Sequence, residues 1–317
     1  MTEPPHTSIW FWIAFNAGVL VLLALDLFVF HKKAREVSLK EAAGWSTLWV
    51  TISLAFNVLV WKWRGPQQGL EFLSGYLVEY SLSVDNIFVF VLIFSHFRVP
   101  PEFQHRVLFW GILGALVMRG VMIALGVTLV TSFHWILYIF GVFLLLTGVK
   151  ILLSKQEEDI DPEANPLVKF VSARLPMTRN YRGQKFFVRE NGRLLGTPLI
   201  LVLVMVESTD LLFAVDSIPA IFGITRDPFI IYTSNVCAIL GLRSLYFLLA
   251  GVVRKLAYLR YGLGGVLAFI GIKMLIADLY KIPITVSLLV VAGMLLASVV
   301  VSLVVAARQK RQNQDEQ

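Results

Sequence analysis

Five acidic side chains sit where the surrounding residues are apolar: Glu79 and Asp85 in VEYSLSVDNIFVF (78–90), and Glu207, Asp210 and Asp216 in VESTDLLFAVDSIPAIF (206–222). In a soluble protein this would be unremarkable. In a bilayer each such charge costs about 2.5 to 3.5 kcal/mol at a helix centre, so five of them need a reason. Carboxylates accompanied by the neutral oxygens of Asn86, Ser217, Ser81, Ser83 and Thr209, without histidine or thiolate among them, form a donor set for hard divalent cations such as Mn²⁺, Mg²⁺ or Ca²⁺. Pro219, three residues after Asp216, removes its own amide donor and frees the Val215 carbonyl, which marks a place where the helix could break beside a carboxylate.

The elements that must carry these residues are membrane spans. Of 317 residues 57% are hydrophobic and 15% charged, and the mean hydropathy is +0.74. Those values exclude an ordinary soluble domain. Apolar stretches of membrane-crossing length place spans at 8–30, 43–62, 70–95, 106–130, 134–154, 197–222, 229–252, 261–281 and 284–306. The fold class is therefore all-α, a single polytopic membrane bundle over 1–317 with about nine transmembrane helices. The residues before Ser8 include no Lys or Arg, so the first span reads as a retained anchor. The single cysteine, Cys237, excludes an internal disulfide or a CxxC redox pair, and the five histidines show no metal-ligand spacing. No prosthetic group is expected.

Basic loop residues set the orientation. Lys32, Lys33, Arg35 and Lys40, then Arg98 and Arg106, then Arg254, Lys255 and Arg260, and finally Arg308, Lys310 and Arg311 all fall on one side of a nine-span chain, the cytoplasmic side by the positive-inside rule. The N-terminus is then periplasmic and the C-terminus cytoplasmic. The long connection 155–196 lies inside. It opens with acidic residues from Glu157 to Glu163, turns basic, and contains KFFVRENGRLL, where Asn191-Gly192 between alternating residues predicts a small hairpin.

Residues 70–154 resemble residues 199–281. Glu79 to Asp85 and Asp210 to Asp216 are both six residues; Arg119 precedes Lys150 by 31 and Arg243 precedes Lys273 by 30. Each unit has three spans, so the second must be inverted relative to the first, the plan of many secondary transporters. Six residues of helix rise about 9 Å, too far for both acids of one helix to ligate one ion. Opposite spans are expected to supply one acid each, pairing Glu79 with Asp216 and Asp85 with Asp210. Arg119, Arg243 and Lys273 are candidates to neutralise these acids in buried ion pairs.

Taken together, the two acidic motifs resemble the paired signature of the TerC family of integral membrane proteins, over about residues 65–305, and the length and loop pattern are similar to its bacterial Alx-type members. That resemblance implies a bacterial inner-membrane protein of manganese efflux, with older family labels of tellurite resistance and redox modulation. It carries metal-site positions onto Glu79, Asp85, Asn86, Glu207, Asp210 and Asp216; Ser217 joins them as a neutral oxygen ligand. The expected function is export of a divalent cation, manganese above others, by alternating access. No GxxxxGK[ST] motif is present, which points to exchange with protons instead of ATP hydrolysis, and no enzymatic activity is expected. The expected partners are the metal ion, protons and the bilayer, with no nucleic acid and the oligomeric state open. The alternative is a membrane-bound metal-delivery or scaffold protein acting through loop 155–196.

Overall fold

The computed structural model describes residues 8–25, 38–133, 135–154, 165–190, 192–250 and 258–315. Helices occupy every predicted span: α1 (Ile9–Leu25), α2 (Leu39–Arg64), α3 (Pro66–His96), α4 (Pro101–Ser132), α5 (Ile136–Leu153), α7 (Pro198–Phe222), α8 (Pro228–Leu240), α9 (Leu242–Leu249), α10 (Leu259–Leu275) and α11 (Ile284–Asp315). Between α5 and α7 lie the short helix α6 (Pro166–Arg174) and the strands β1 (Phe187–Glu190) and β2 (Arg193–Gly196). Among the described residues six helices are long and apolar enough to cross a membrane, or seven if α8 and α9 form one span bent by 41°. The remaining two predicted spans, α1 and α10, are each 17 residues long. Lys32, Lys33, Arg35, Arg254, Lys255, Asn191 and the acidic run from Glu157 to Glu163 lie outside the described residues.

Local chemistry explains the boundaries. Ser38 caps α2 by accepting from the Glu41 amide at 3.3 Å, a Ser-x-x-Glu start. Helices α3, α4, α6, α7 and α8 each begin on proline, which lacks the amide that the first turn would leave unpaired. Gly65 turns α2 into α3 at φ 103°, a conformation that favours glycine. Asp227 caps α8 through the Phe229 and Ile230 amides at 2.9 and 3.3 Å. The break predicted near Pro219 is not made. Pro219 lies in the last turn of an otherwise continuous α7; it still leaves the Val215 carbonyl without its amide donor, but the helix ends three residues later at Phe222, so little helix follows to be redirected. The bend falls instead at Gly241, between α8 and α9, where the Ser244 hydroxyl donates to the Gly241 carbonyl at 3.0 Å.

The outside of the bundle is apolar, as a lipid-facing surface must be: Val117, Leu146, Leu289 and Leu296 are all well exposed. Its inside holds α3 and α8. On α3 the buried face runs through Phe72, Tyr76, Glu79, Ser83, Asn86 and Phe90, spaced by three and four residues as a single helical stripe requires.

Chain directions follow from which residues meet. Glu71 accepts from the Thr225 hydroxyl at 2.6 Å, Gly75 faces Ile221, and Arg119 bridges Glu79 and Ser217. Numbers rise along α3 as they fall along α7, so these helices are antiparallel. Gly120 faces Tyr232 while His105 meets Arg243, so α4 runs against α8 and α9. Helices α5 and α10 also cross antiparallel, in backbone contact: Gly141 lies against the Gly271 carbonyl, and Gly148 against the Gly264 carbonyl and the Ala268 amide. Small residues at a crossing let helix axes approach closely.

The connections gather at two ends. At one end Arg64, the last residue of α2, pairs with Asp227 at 2.8 Å, and Tyr138 of α5 donates to Asp278 after α10. At the other the segment leading into the hairpin docks on the α3–α4 connection and the start of α4: the Tyr181 hydroxyl donates to the Phe97 carbonyl at 2.7 Å, Gln184 to the Glu102 carbonyl at 3.1 Å, and Arg106 covers the Phe186 ring. Burial pushes the Tyr181 hydroxyl up to about 12, so it remains a donor at neutral pH.

The predicted hairpin is present, with Glu190 opposite Arg193 and Gly192 at φ 76°. Helix α6 has no counterpart in the sequence reading, because nine residues leave little periodicity to read. Asn165 caps it, accepting from the Leu167 and Val168 amides at 2.9 and 3.2 Å, while its side-chain amide donates to Ser208 of α7 at 2.9 Å. Asn165→Ala should therefore loosen α6 by about 1 kcal/mol. Limited trypsinolysis is the measurement: faster cutting after Lys169 and Arg174 is expected, and unchanged rates would mean that the cap is not what holds α6.

Candidate functional site

Arg119, near the middle of α4, is the centre of a buried polar cluster. Its Nε and Nη2 donate to Asp210 Oδ2 and Oδ1 at 3.2 and 3.1 Å. Its Nη1 donates to Glu79 Oε1 and to Ser217 Oγ at 3.2 Å. The second Glu79 oxygen accepts from Asn235 Nδ2 of α8 at 2.9 Å. None of these five residues exceeds 5% exposure, and Asn235 has none. Two carboxylates share one guanidinium, so the ionised cluster carries a net charge of −1 away from water. A proton on either carboxylate would neutralise it.

This arrangement corrects the expected pairing. Glu79 is brought to Asp210 through Arg119, and not to Asp216. Residues on a helix advance by 100° each, so six positions turn through 600°, leaving Asp216 on a different face of α7 from Asp210. Ser217, seven residues on from Asp210, returns to the shared face. The same turn separates Asp85 from Glu79: Asp85 points off the buried stripe and is exposed, with Arg260 of α10 as the charge acting on it. Asp216 is half-buried beside Thr147 and Lys150 of α5.

The other predicted positions are spread around the cluster. Glu207 is half-buried, within electrostatic reach of Asp210, and its carboxylate fills the space where a Cβ on Gly114 would lie. Asn86 is buried on the Glu79 stripe with its Nδ2 unpartnered among the described residues. Arg243, the expected counterpart of Arg119, is buried but meets His105 at 3.4 Å. Lys273 feels the charge of Glu71. Of the three cations expected to pair with the acids, Arg119 alone joins Glu79 and Asp210. Among the described residues no three His, Cys, Asp or Glu groups stand together as a metal cluster; Arg119 fills the space between the two carboxylates.

Asn235 was missed by the sequence reading. It lies in TSNVCAIL, where Thr233, Ser234 and Asn235 are polar residues in an apolar helix and all three are fully buried. That polarity is the signal that could have found it, since an amide in a span needs a partner as an acid does.

Residues 64–313 match the family model described as the integral membrane protein TerC family. The chain is 55% identical over 303 residues to an uncharacterized membrane protein of Myxococcus xanthus, covering 96% of this chain and 95% of that one. It is 51% identical over 300 residues to a putative membrane-bound redox modulator Alx of Salmonella typhi, covering 92% and 93%. With the protein of the same description from Escherichia coli K12 it shares 49% over 310 residues, covering 95% and 96%. No solved structure matches the chain.

Proposed function

The chain belongs to the integral membrane protein TerC family, and from that membership we propose that it is a secondary transporter exporting a divalent metal cation, with manganese as its cargo and protons as the exchanged ion. The observation that carries this reading is the buried excess of one negative charge at Glu79, Asp210 and Arg119. Such a cluster is stable with a proton. With Arg119 withdrawn it presents two negative charges, matched to a divalent ion, and carboxylates must lose protons to ligate metal. The neutral side chains around it, Ser217 and Asn235, carry a hydroxyl and an amide oxygen and no thiolate or imidazole, in keeping with a hard cation.

Alternating access is supported by the helix directions. The three helix pairs aligned by sequence, α3 with α7, α4 with α8–α9, and α5 with α10, all run antiparallel, as two inverted repeats require. The glycine contacts are also reciprocal: the sequence alignment makes Gly141 equivalent to Gly264 and Gly148 to Gly271, and Gly141 meets Gly271 as Gly148 meets Gly264. Nine crossings, with the bent α8–α9 pair as one and α1 and α10 as short ones, keep the hairpin and the α3–α4 connection on a cytoplasmic side of the inner membrane, N-terminus outside and C-terminus inside. The protein is then no enzyme and needs no prosthetic group. Export of a divalent ion against an inside-negative potential costs about 4.6 kcal/mol per 100 mV, which a proton gradient can offset. A thiol redox role draws no support from Cys237, the single cysteine, buried at 6% exposure.

The test is Mn²⁺ flux in sealed vesicles containing only this protein, with and without a pH gradient. Gradient-dependent flux in the parent and its loss by at least about tenfold in both Glu79→Gln and Asp210→Asn, at equal protein levels, are the expected results. Flux that survives both substitutions would overturn the assignment.

A further inference from the structure

Asn235 is held by one end only. Its Nδ2 donates to Glu79 Oε2 at 2.9 Å, while its Oδ1, in a side chain with no solvent exposure, has no hydrogen-bond partner among the described residues. Buried polar groups in folded proteins are almost always satisfied, and an exception calls for an explanation. Two more stand close by in sequence on the Glu79 stripe of α3: Ser83 Oγ and Asn86 Nδ2 are buried and unpartnered too. Three of the buried unpartnered side-chain atoms among the described residues thus lie on Asn235 or on the Glu79 stripe of α3, and one of them is the carbonyl oxygen of the same amide whose nitrogen holds the Glu79 carboxylate.

We propose that Asn235 is a cation ligand of this site, its Oδ1 completing the set formed by Glu79 and Asp210 when a divalent ion replaces the Arg119 guanidinium. An amide oxygen is a standard hard-cation donor and carries no charge of its own. It therefore adds coordination without deepening the negative excess that the empty site must tolerate. Its second role follows from its other end, since the hydrogen bond to Glu79 Oε2 aims that carboxylate before the ion arrives. Repeat alignment puts Gly111 at the equivalent place in the first unit, so a single amide would be contributed, from α8, and the ion would be held off the pseudo-symmetry axis. This assignment rests on the metal-transport reading above.

Two substitutions separate a ligand from a residue that merely steadies Glu79. Asn235→Leu keeps the branched shape and the number of side-chain heavy atoms and removes both polar ends. Asn235→Asp keeps an oxygen ligand but removes the donor and adds a charge beside Glu79. Equilibrium binding of Mn²⁺ alone to the purified full-length protein is the readout, with circular dichroism and monodispersity checking the fold. A ligand role predicts at least about tenfold weaker binding in Asn235→Leu and retained or tighter binding in Asn235→Asp. If Asn235 only positions Glu79, the order reverses and Asn235→Asp is the weaker binder; that result would overturn the proposal, as would parent-like affinity in Asn235→Leu. Should Asn235→Leu not fold, Asn235→Ser, whose hydroxyl is too short to reach as far, must show intermediate affinity, and parent-like affinity there overturns the proposal. Absence of Mn²⁺ binding in the parent protein would instead defeat the transport reading itself.

Discussion

Arg119→Ala should be among the most damaging single substitutions in this protein, lowering stability by about 3 to 5 kcal/mol. The guanidinium gives four of its hydrogen bonds to Asp210, Glu79 and Ser217, and its removal leaves two carboxylates facing each other without water. Losing one partner of a buried ion pair costs far more than the pair contributes, because the charge left behind has no solvent to return to. Thermal unfolding of the purified protein in detergent is the measurement, read as a loss of melting temperature and of monodisperse material. Neutralising the acids in the same background, with Glu79→Gln and Asp210→Asn, should recover most of the loss. A single Arg119→Ala variant that melts like the parent would show that the cluster does not depend on its cation.

Comparable damage is expected at the crossing of α5 and α10, for a steric reason. A Cβ at Gly148 would lie 2.5 Å from both the Ala268 amide nitrogen and the Gly264 carbonyl oxygen. These are backbone atoms of a packed helix, so no rotamer change can make room, and the helices must separate along their length. Overpacking usually costs about 1 to 3 kcal/mol and more where nothing can yield; Gly148→Leu is placed at or above about 3 kcal/mol on that ground. Gly293→Ala is the natural control, because a Cβ there meets nothing within 4 Å, and replacing a helical glycine should leave stability unchanged or raised by up to about 1 kcal/mol. Equal melting temperatures for Gly148→Leu and Gly293→Ala would refute the close crossing. The two sites fail differently: rescue by neutralising acids applies to Arg119 alone.

Much of this architecture is legible in the chain because bilayer costs are local. An apolar run declares a span wherever it occurs, an acid within it declares an anomaly, and Asn191-Gly192 between alternating residues declares a hairpin; none of these needs a distant contact. Helix rise is equally local, which is why Glu79 and Asp85 could be ruled out as joint ligands of one ion from numbering alone. Rotation about the helix axis is just as regular, but which face a helix turns inward is decided by all of its neighbours. The sequence therefore carried Glu79, Asp210 and Arg119 as candidates without the means to join them, and depth alone suggested Asp216 as the partner of Glu79. Tertiary packing chose the Glu79–Ser83–Asn86 stripe of α3 and the Asp210–Ser217 face of α7, and it sent Asp85 and Asp216 elsewhere. It also separated two arginines that look equivalent in the repeat, giving Arg119 to the acids and Arg243 to His105.

The acids were thus determined by the sequence, as five charges whose bilayer cost demanded a use. Their partnership was decided by the tertiary structure, because a carboxylate's neighbour depends on where three helices cross, and no span contains that information by itself.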